Sequence, residues 1–225
     1  MPENRAVIFA NGNIPDPDAI RKILLPGDAF FAADAGASHI LRLGRLPEMV
    51  IGDLDSLPET ERKKLQASGV SIVQYPQDKD LTDLELAINK VLEEGYHRIL
   101  IVAALGGRLD MTLSNLNLMT RPDLQELDVR MDDGIEQLQI VRGKALIQGR
   151  VGDTISLIPW GGAVEMVTTS GLRWPLTNAH LELFETRTVS NEMLGDQAEI
   201  RVGSGCLLCI HRRKIDSYEG QDHKE

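Results

Sequence analysis

Residues 82–105 read TDLELAINKVLEEGYHRILIVAAL, and this stretch decides the fold class. Its first half carries apolar residues at helical spacing, which can form one buried stripe, namely Leu84, Ala87, Ile88, Val91 and Leu92. Gly95 follows the stripe and is suited to cap the C-terminus of that helix. The second half, residues 98–105, is strongly apolar and predicts a buried strand. A helix that leads directly into such a strand is typical of an α/β fold.

The same alternation of short apolar runs and helical patterns continues back to the N-terminus. Further strands are predicted at residues 6–10, 29–33, 49–51 and 71–74. Strands that alternate with helices indicate a mostly parallel sheet with flanking helices. We therefore predict a Rossmann-like α/β domain over residues 1–130.

Beyond residue 130 the pattern changes to short alternating strands separated by glycines. Period-two alternation without a helical stripe is present at residues 154–158, 163–168, 181–188 and 198–202. This pattern favours an antiparallel sandwich or barrel. We predict an all-β sandwich domain over residues 131–216, followed by a flexible polar tail at 217–225.

Composition limits the class of protein. With 225 residues and 42% apolar content, the chain can bury one large core or two modest ones. The net charge of −10 disfavours a nucleic-acid surface. We expect a cytoplasmic protein without a membrane segment, since neither a signal peptide nor a long apolar run is evident. Cys206 and Cys209, three apart in a predicted strand, point to opposite faces, so two ordinary buried thiols are expected.

The first segment with chemical potential is Gly52-Asp53-Leu54-Asp55-Ser56, directly after the strand at 49–51. Ligands of parallel sheets bind beyond the carboxyl ends of the strands, where Asp53 and Asp55 are predicted to lie. Closely spaced carboxylates suit magnesium, which prefers oxygen ligands. The alternative is a solvated turn in which Asp55 or Ser56 caps the next helix.

A second acidic segment, Asp78-Lys79-Asp80-Leu81-Thr82-Asp83, opens the predicted helix. Thr82 and Glu85 fit a capping box, and acidic residues favour a helix N-terminus. Helix capping explains Thr82 and one carboxylate. It does not explain why Asp80 and Asp83 lie at the same strand end as Asp78 and Lys79. Two acidic segments at two strand ends favour a metal site. Lys79 is either a phosphate contact or a solvated side chain.

A third segment, Gly106-Gly107-Arg108-Leu109-Asp110, follows the strand at 98–105. Paired glycines let the backbone approach a ligand, the helix that follows would direct amide groups at an anion, and Arg108 can bind phosphate. Two shorter features lie at predicted strand ends, at residues 11–13 and 34–38, and each is either a turn or a ligand contact.

Taken in order, these motifs resemble the thiamine pyrophosphokinase family. The resemblance rests on ADAG at 33–36, GDLDS at 52–56, DLTD at 80–83 and GGRLD at 106–110. In the C-terminal half, SGLRWPL at 170–176 and VSNE at 189–192 look like the thiamine-binding segments of that family. The resemblance covers nearly the whole chain up to the tail.

The resemblance implies a homodimeric enzyme, with its thiamine site at the subunit interface, that transfers a pyrophosphoryl group from ATP to the hydroxyethyl oxygen of thiamine. The products would be thiamine diphosphate and AMP. The residues that bind Mg²⁺ and, through it, the triphosphate would be Asp53, Asp55, Asp80 and Asp83. The nucleotide side would include Asp34, Thr82, Gly106, Gly107, Arg108 and Asp110. Thiamine would be bound by Trp174, Ser190 and Asn191. Considered without the resemblance, Trp174 is predicted to be a half-buried aromatic residue that packs in the β-sandwich.

Two positions depart from the family pattern, and two other functions compete with it. Ala35 stands where many relatives carry a second glycine, and Met111 stands where a polar residue commonly follows the aspartate of the glycine-pair motif. The first rival is a phosphatase of the haloacid dehalogenase type with an aspartate nucleophile in the segment at 53–56. The second is a nucleotide sensor that binds ATP without consuming it.

Overall fold

The computed structural model describes residues 4–215, so the tail predicted at 217–225 lies outside the described residues. The chain divides into two compact units, the first ending at Ile140 and the second beginning at Val141. Strands β6 (Asp128–Asp132) and β7 (Glu136–Val141) pair with each other in antiparallel fashion. Because β6 also pairs with a strand of the first unit, this unit extends past residue 130, where we had placed the domain boundary.

The first unit contains a mostly parallel sheet with connecting helices, which confirms the predicted α/β fold. Its elements up to residue 118 are β1 (Ala6–Phe9), α1 (Pro17–Ile23), β2 (Ala29–Ala33), α2 (Gly36–Arg42), β3 (Met49–Gly52), α3 (Glu59–Ala67), β4 (Ser71–Gln74), α4 (Asp83–Glu93), β5 (Arg98–Val102) and α5 (Leu109–Leu118). A short 3-10 helix, Pro122–Leu124, precedes β6. The strand order in this unit is β4-β3-β2-β1-β5-β6-β7, and only the β6–β7 pair is antiparallel. None of the helices described between residues 4 and 215 is both long and apolar enough to cross a membrane.

Burial explains why these elements form. All four residues of β1 have no exposed surface, as expected for a central strand covered on both faces. Helix α4 buries four of the five predicted stripe residues, Leu84, Ala87, Ile88 and Val91, whereas Leu92 is half-buried. Its N-terminus is capped by Thr82, whose hydroxyl accepts a hydrogen bond from the Glu85 amide at 3.3 Å. Strand β5 ends at Val102, earlier than predicted, because Ala103 turns into the left-handed region at φ 57°.

The second unit is a sandwich of two antiparallel sheets, as predicted. Its strands are β8 (Lys144–Gln148), β9 (Thr154–Pro159), β10 (Val164–Ser170), β11 (Ala179–Leu181), β12 (Asn191–Glu192), β13 (Gln197–Arg201) and β14 (Leu207–Arg212). One sheet has the order β12-β9-β14 and the other β11-β10-β13-β8. Alternating residues of both sheets, including Ile155, Val167 and Ile200, share one core.

Two expectations about the second unit were wrong in part. The strand predicted at 181–188 stops at Leu181, and Leu183 and Phe184 are 56% and 82% exposed, so the alternation there marks no buried face. Cys209 is buried, which raises the pKa of its thiol to about 12. Cys206 is only half-buried and donates to the Trp160 carbonyl at 3.0 Å.

Candidate active site

Three carboxylates meet at the carboxyl edge of the parallel sheet. Asp34 follows β2, Asp53 follows β3, and Asp83 is the first residue of α4. One carboxylate oxygen from each lies within 4.8 Å of the others. Strands β2 and β3 are neighbours in the sheet, and this pairing brings residues far apart in sequence to the same edge. We call Asp34, Asp53 and Asp83 the acidic cluster.

Glycine at position 52 makes this close approach possible. Gly52 has φ +150°, and a Cβ there would lie 3.0 Å from Oδ1 of Asp83 and 3.2 Å from Cα of Asp34. Asp34 and Leu54 also adopt positive φ angles, 49° and 64°. Residues in such conformations cost free energy and are concentrated at functional sites. The positive φ angles at Asp34, Gly52 and Leu54 thus bring the three carboxylates close together.

Asp34 is the most buried member of the cluster, at 5% exposure. Burial raises the pKa of its carboxyl, and repulsion from Asp83 and Asp53 adds to this shift. Hydrogen bonds from the Ala35 amide and Ser56 oppose it. Its Oδ1 has no hydrogen-bond partner within residues 4–215. A buried acceptor without a partner is costly and calls for a donor or a cation.

Lys79 is paired with the cluster and is not a solvated side chain. Its Nζ lies 3.2 Å from Oδ2 of Asp53 and 3.1 Å from Oδ1 of Asp83, and the side chain is 14% exposed. Burial alone would lower the pKa of Lys79, but the hydrogen bonds to Asp83 and Asp53 raise it. The ammonium group is therefore firmly charged and neutralises part of the acidic cluster.

The cluster differs from the ligand set predicted from the sequence. Asp53 and Asp83 belong to it, but the third member is Asp34, which we had expected on the nucleotide side. Asp55 lies nearby, and its carboxylate accepts hydrogen bonds from Gln77 at 2.6 Å and Ser56 at 2.9 Å. Asp80 is exposed in the loop before α4 and is outside the cluster, because the chain turns toward the helix only at Thr82.

A cleft of about 540 Å³ opens beside the acidic cluster. It is formed by the loops that follow β1, β2, β3, β4 and β5, by the start of α4 and by one face of α5. The predicted site residues on its wall are Asp34, Asp55, Thr82, Asp83, Gly106, Gly107 and Arg108, together with Lys79. The loops after β1 and β5 approach closely, since a Cβ on Gly12 would lie 2.4 Å from the Ala103 carbonyl oxygen. Residues 11–13, read as either turn or ligand contact, lie on this wall.

Arg108 and Asp110 form an exposed ion pair at the mouth of the cleft. Two guanidinium nitrogens of Arg108 lie 3.1 and 2.6 Å from the two carboxylate oxygens of Asp110. This pairing, and a hydrogen bond from the Met111 amide, lower the pKa of Asp110. Arg108 lines the cleft, so Asp110 holds the guanidinium in place at its mouth.

Sequence reasoning missed Asn115 on the wall of the cleft. Asn115 is 6% exposed, and its Nδ2 donates to the Ala104 carbonyl at 2.9 Å, which ties α5 to the loop after β5. Its Oδ1 has no partner within the described part of the chain. Little in the sequence pointed to it, because the apolar residues Leu109, Met111 and Leu113 of this helix are exposed while Asn115 is buried.

In the second unit, the residues expected to receive thiamine lie together. The Asn191 amide group donates to the Trp174 carbonyl at 2.7 Å, and its oxygen accepts from the Trp174 amide at 3.1 Å. Ser190 has φ 60°, and its amide donates to Oγ of Ser156 at 2.9 Å. Trp174 is 58% exposed with the guanidinium of Arg173 5.4 Å from its ring centre, so it is not a core aromatic.

Two sequence families match this chain, one in each unit. Residues 21–131 match the family described as "Thiamin pyrophosphokinase, catalytic domain". Residues 142–207 match "Thiamin pyrophosphokinase, vitamin B1 binding domain". The first match contains the acidic cluster, and the second contains Trp174, Ser190 and Asn191.

Individual relatives agree with the family matches. A thiamine pyrophosphokinase of Bacillus subtilis (strain 168) is 30% identical over 183 residues, or 80% of this chain and 86% of the relative. One from Arabidopsis thaliana is 28% identical over 194 residues, or 82% of this chain and 72% of the relative.

Solved structures show the same fold. The crystal structure of thiamine pyrophosphokinase from Bacillus subtilis superposes with a TM-score of 0.84 at 26% identity, covering 94% of this chain and 100% of that chain. Yeast thiamin pyrophosphokinase has a TM-score of 0.75 at 20% identity over 94% of this chain and 87% of that chain, which bears on the fold alone. The resemblance found in the motifs is thus confirmed, and the chain belongs to the thiamine pyrophosphokinase family.

Proposed function

We propose that this chain transfers a pyrophosphoryl group from ATP to the hydroxyethyl oxygen of thiamine and releases AMP. The observation that carries the proposal is the acidic cluster beside a cleft of about 540 Å³, a volume suited to a small-molecule substrate. The reaction is the one carried out by the thiamine pyrophosphokinases to which this chain is similar. The cleft beside the acidic cluster can hold the triphosphate of ATP together with its metal ion.

We propose Asp34, Asp53 and Asp83 as ligands of Mg²⁺. The residues fit this ion because carboxylate oxygens are the ligands it prefers, and because the buried Oδ1 of Asp34 has no other partner among residues 4–215. When bound, the ion would neutralise charge on phosphoryl oxygens. Asp55, on the cleft wall, is proposed to contribute through the water molecules of the ion. Asp80 leaves the proposed set, since it is exposed and outside the cluster.

The remaining cleft residues position the triphosphate. Gly106 and Gly107 have φ angles of 76° and 72°, and nothing lies within 4 Å of where a Cβ would be, so their backbone can approach a phosphate. Arg108 supplies a fork of donors at the mouth of the cleft. In the reaction, the hydroxyl oxygen of thiamine passes its proton to a carboxylate of the acidic cluster and bonds to the β-phosphorus. The bond from that phosphorus to the oxygen bridging to the α-phosphate breaks, and this oxygen leaves as part of AMP. Positioning and charge neutralisation account for most catalysis of this kind.

We propose that Trp174, Ser190 and Asn191 bind thiamine. Thiamine has a cationic ring and a flat pyrimidine, and the exposed face of Trp174 suits both. We further propose a homodimer with this site at the subunit interface. It follows the resemblance to the family, and the second unit exposes large apolar side chains, Leu183, Phe184, Val189 and Leu194, that a contact surface could cover. A cytoplasmic location remains a prediction from the sequence.

The rival functions are less well supported. A phosphatase of the haloacid dehalogenase type is not supported, because residues 21–131, which contain Asp53, match the thiamin pyrophosphokinase catalytic domain. A sensor that leaves ATP intact is at odds with a match to a catalytic domain over residues 21–131.

The products of turnover test the proposal. Purified protein is incubated with Mg²⁺, ATP and thiamine, and nucleotides and thiamine esters are separated by chromatography. AMP and thiamine diphosphate are expected in equal amounts, with no AMP when thiamine is omitted. Formation of ADP with thiamine monophosphate, or of free phosphate alone, would reject pyrophosphoryl transfer.

A further inference from the structure

We propose that Lys79 is an exchangeable counter-ion. In this inference, which rests on the proposed function, the Lys79 ammonium and a divalent cation compete for Asp53 and Asp83. Entry of the cation turns Lys79 toward the phosphates of the nucleotide. Lys79 thereby couples binding of the metal to binding of the triphosphate.

The first support is the position of the ammonium. Its nitrogen lies 3.2 Å from an oxygen of Asp53 and 3.1 Å from an oxygen of Asp83, two of the three members of the acidic cluster. A Mg²⁺ ion binds carboxylate oxygens at about 2.1 Å. Such an ion would come within a few ångströms of the ammonium, where two positive charges repel strongly in a partly buried site. The two cations therefore exclude each other.

The second support is the freedom of Lys79 to move. It lies in the loop between β4 and α4, and its flexible four-carbon side chain lines the cleft. A lysine displaced from the carboxylates needs another anion, and lysine serves as a point charge for phosphate. The triphosphate proposed for this cleft is that anion. The other oxygen of Asp53 accepts from the Asp55 amide at 3.1 Å, so Asp53 itself stays in place.

The exchange gives two effects of opposite sign. Without nucleotide, loss of the Lys79 charge removes the competitor, so a divalent cation should bind about 10-fold more tightly, within the range of typical coupling. With the metal present, loss of Lys79 removes a phosphate contact, so the triphosphate should bind about 10-fold more weakly. If Lys79 only stabilised the fold, its replacement would weaken the binding of the metal and the binding of the triphosphate alike.

The experiment uses the full chain and the variants Lys79→Met and Lys79→Gln. Binding of Mn²⁺ alone, as a stand-in for Mg²⁺, is measured by titration calorimetry. Binding of inorganic tripolyphosphate is then measured at saturating Mn²⁺. Lys79→Arg keeps the positive charge and should show much smaller effects. Lys90→Met is the matched control, because Lys90 lies on α4 in an exposed pair with Glu93 and should leave both affinities unchanged. Thermal unfolding confirms that each variant is folded, and Lys79→Gln replaces Lys79→Met if the latter is not.

Tighter Mn²⁺ binding together with weaker tripolyphosphate binding supports the exchange. Weaker Mn²⁺ binding in both Lys79 variants, or an affinity equal to that of the parent protein, overturns it. If the parent protein releases AMP and loses Mn²⁺ binding on Asp53→Asn while the Lys79 variants bind Mn²⁺ unchanged, the proposed function stands and only the exchange fails. If the parent protein binds no Mn²⁺, the metal site fails and the exchange with it.

Discussion

Replacement of Gly52 by alanine should damage the site through the backbone, without removing any functional side chain. The new Cβ would lie 3.0 Å from Oδ1 of Asp83 and 3.2 Å from both Cα and Cβ of Asp34. Asp83 can rotate away because the contact is at the end of its side chain. Asp34 cannot, because Cα belongs to the backbone. The acidic cluster must therefore open.

The stability cost follows from the conformation of Gly52. At φ +150° a residue with a side chain carries about 1–3 kcal/mol of strain, and the contact with Asp34 adds to it. In a chain of this size each kcal/mol lowers the midpoint of thermal unfolding by about 2–4 °C. We expect Gly52→Ala to unfold about 4–10 °C lower. A displacement of the carboxylates by about 1 Å should lower turnover about 100-fold.

The assay combines thermal unfolding, Mn²⁺ titration and the rate of AMP release. Gly44→Ala is the matched control, since Gly44 also has a positive φ, 74°, but nothing lies within 4 Å of where its Cβ would be. It should lose about 1 kcal/mol and keep full activity. If Gly52→Ala binds Mn²⁺ and releases AMP as fast as the parent protein, the close packing of Asp34 and Asp83 around Gly52 is not required, and the account of the cluster is wrong.

Three further changes probe other parts of the account. Asp34→Asn should weaken Mn²⁺ binding at least about 10-fold in calorimetry. The pKa of Asp34 is raised in the folded state, so its ionised form destabilises the fold at higher pH, and this cost is relieved as pH falls through the folded pKa toward the unfolded value. Urea unfolding over that pH range should show this contribution to stability disappear in the variant. Trp174→Ala should raise the KM for thiamine about 10-fold and leave that for ATP unchanged, and an unchanged thiamine KM would refute the stacking role. Asp153→Ala should lower the free energy of unfolding, measured in urea, by about 3 kcal/mol. The buried Asp153 carboxylate accepts hydrogen bonds from His211 and from the Lys214 amide, each at 2.8 Å. A loss below about 0.5 kcal/mol would show that these hydrogen bonds contribute little to stability.

The parts of the fold that could be predicted are those that depend on local periodicity. Helix α4 was recognisable because its buried residues recur at helical spacing and Thr82 caps its start. The strands of the first unit were recognisable because parallel strands are apolar throughout. The segment after Leu181 has a strand-like alternation, yet its apolar residues face solvent, and no local pattern distinguishes an exposed face from a buried one.

The acidic cluster was only partly predictable for a different reason. Strand ends indicated the correct edge of the sheet, and Asp53 and Asp83 were expected there. That Asp34 joins them depends on the register of β2 against β3 and on the positive φ of Asp34, which are tertiary properties. The pairing of Lys79 with two carboxylates likewise depends on the path of the loop before α4.

The most direct test of the central claim follows the phosphorus atoms of ATP. ATP labelled at the β-phosphorus is incubated with Mg²⁺, thiamine and the protein, and the labelled products are separated. Attack at the β-phosphorus predicts that all transferred label appears in thiamine diphosphate, with AMP unlabelled. Label retained in ADP, or released as inorganic phosphate while thiamine stays unmodified, would contradict the account.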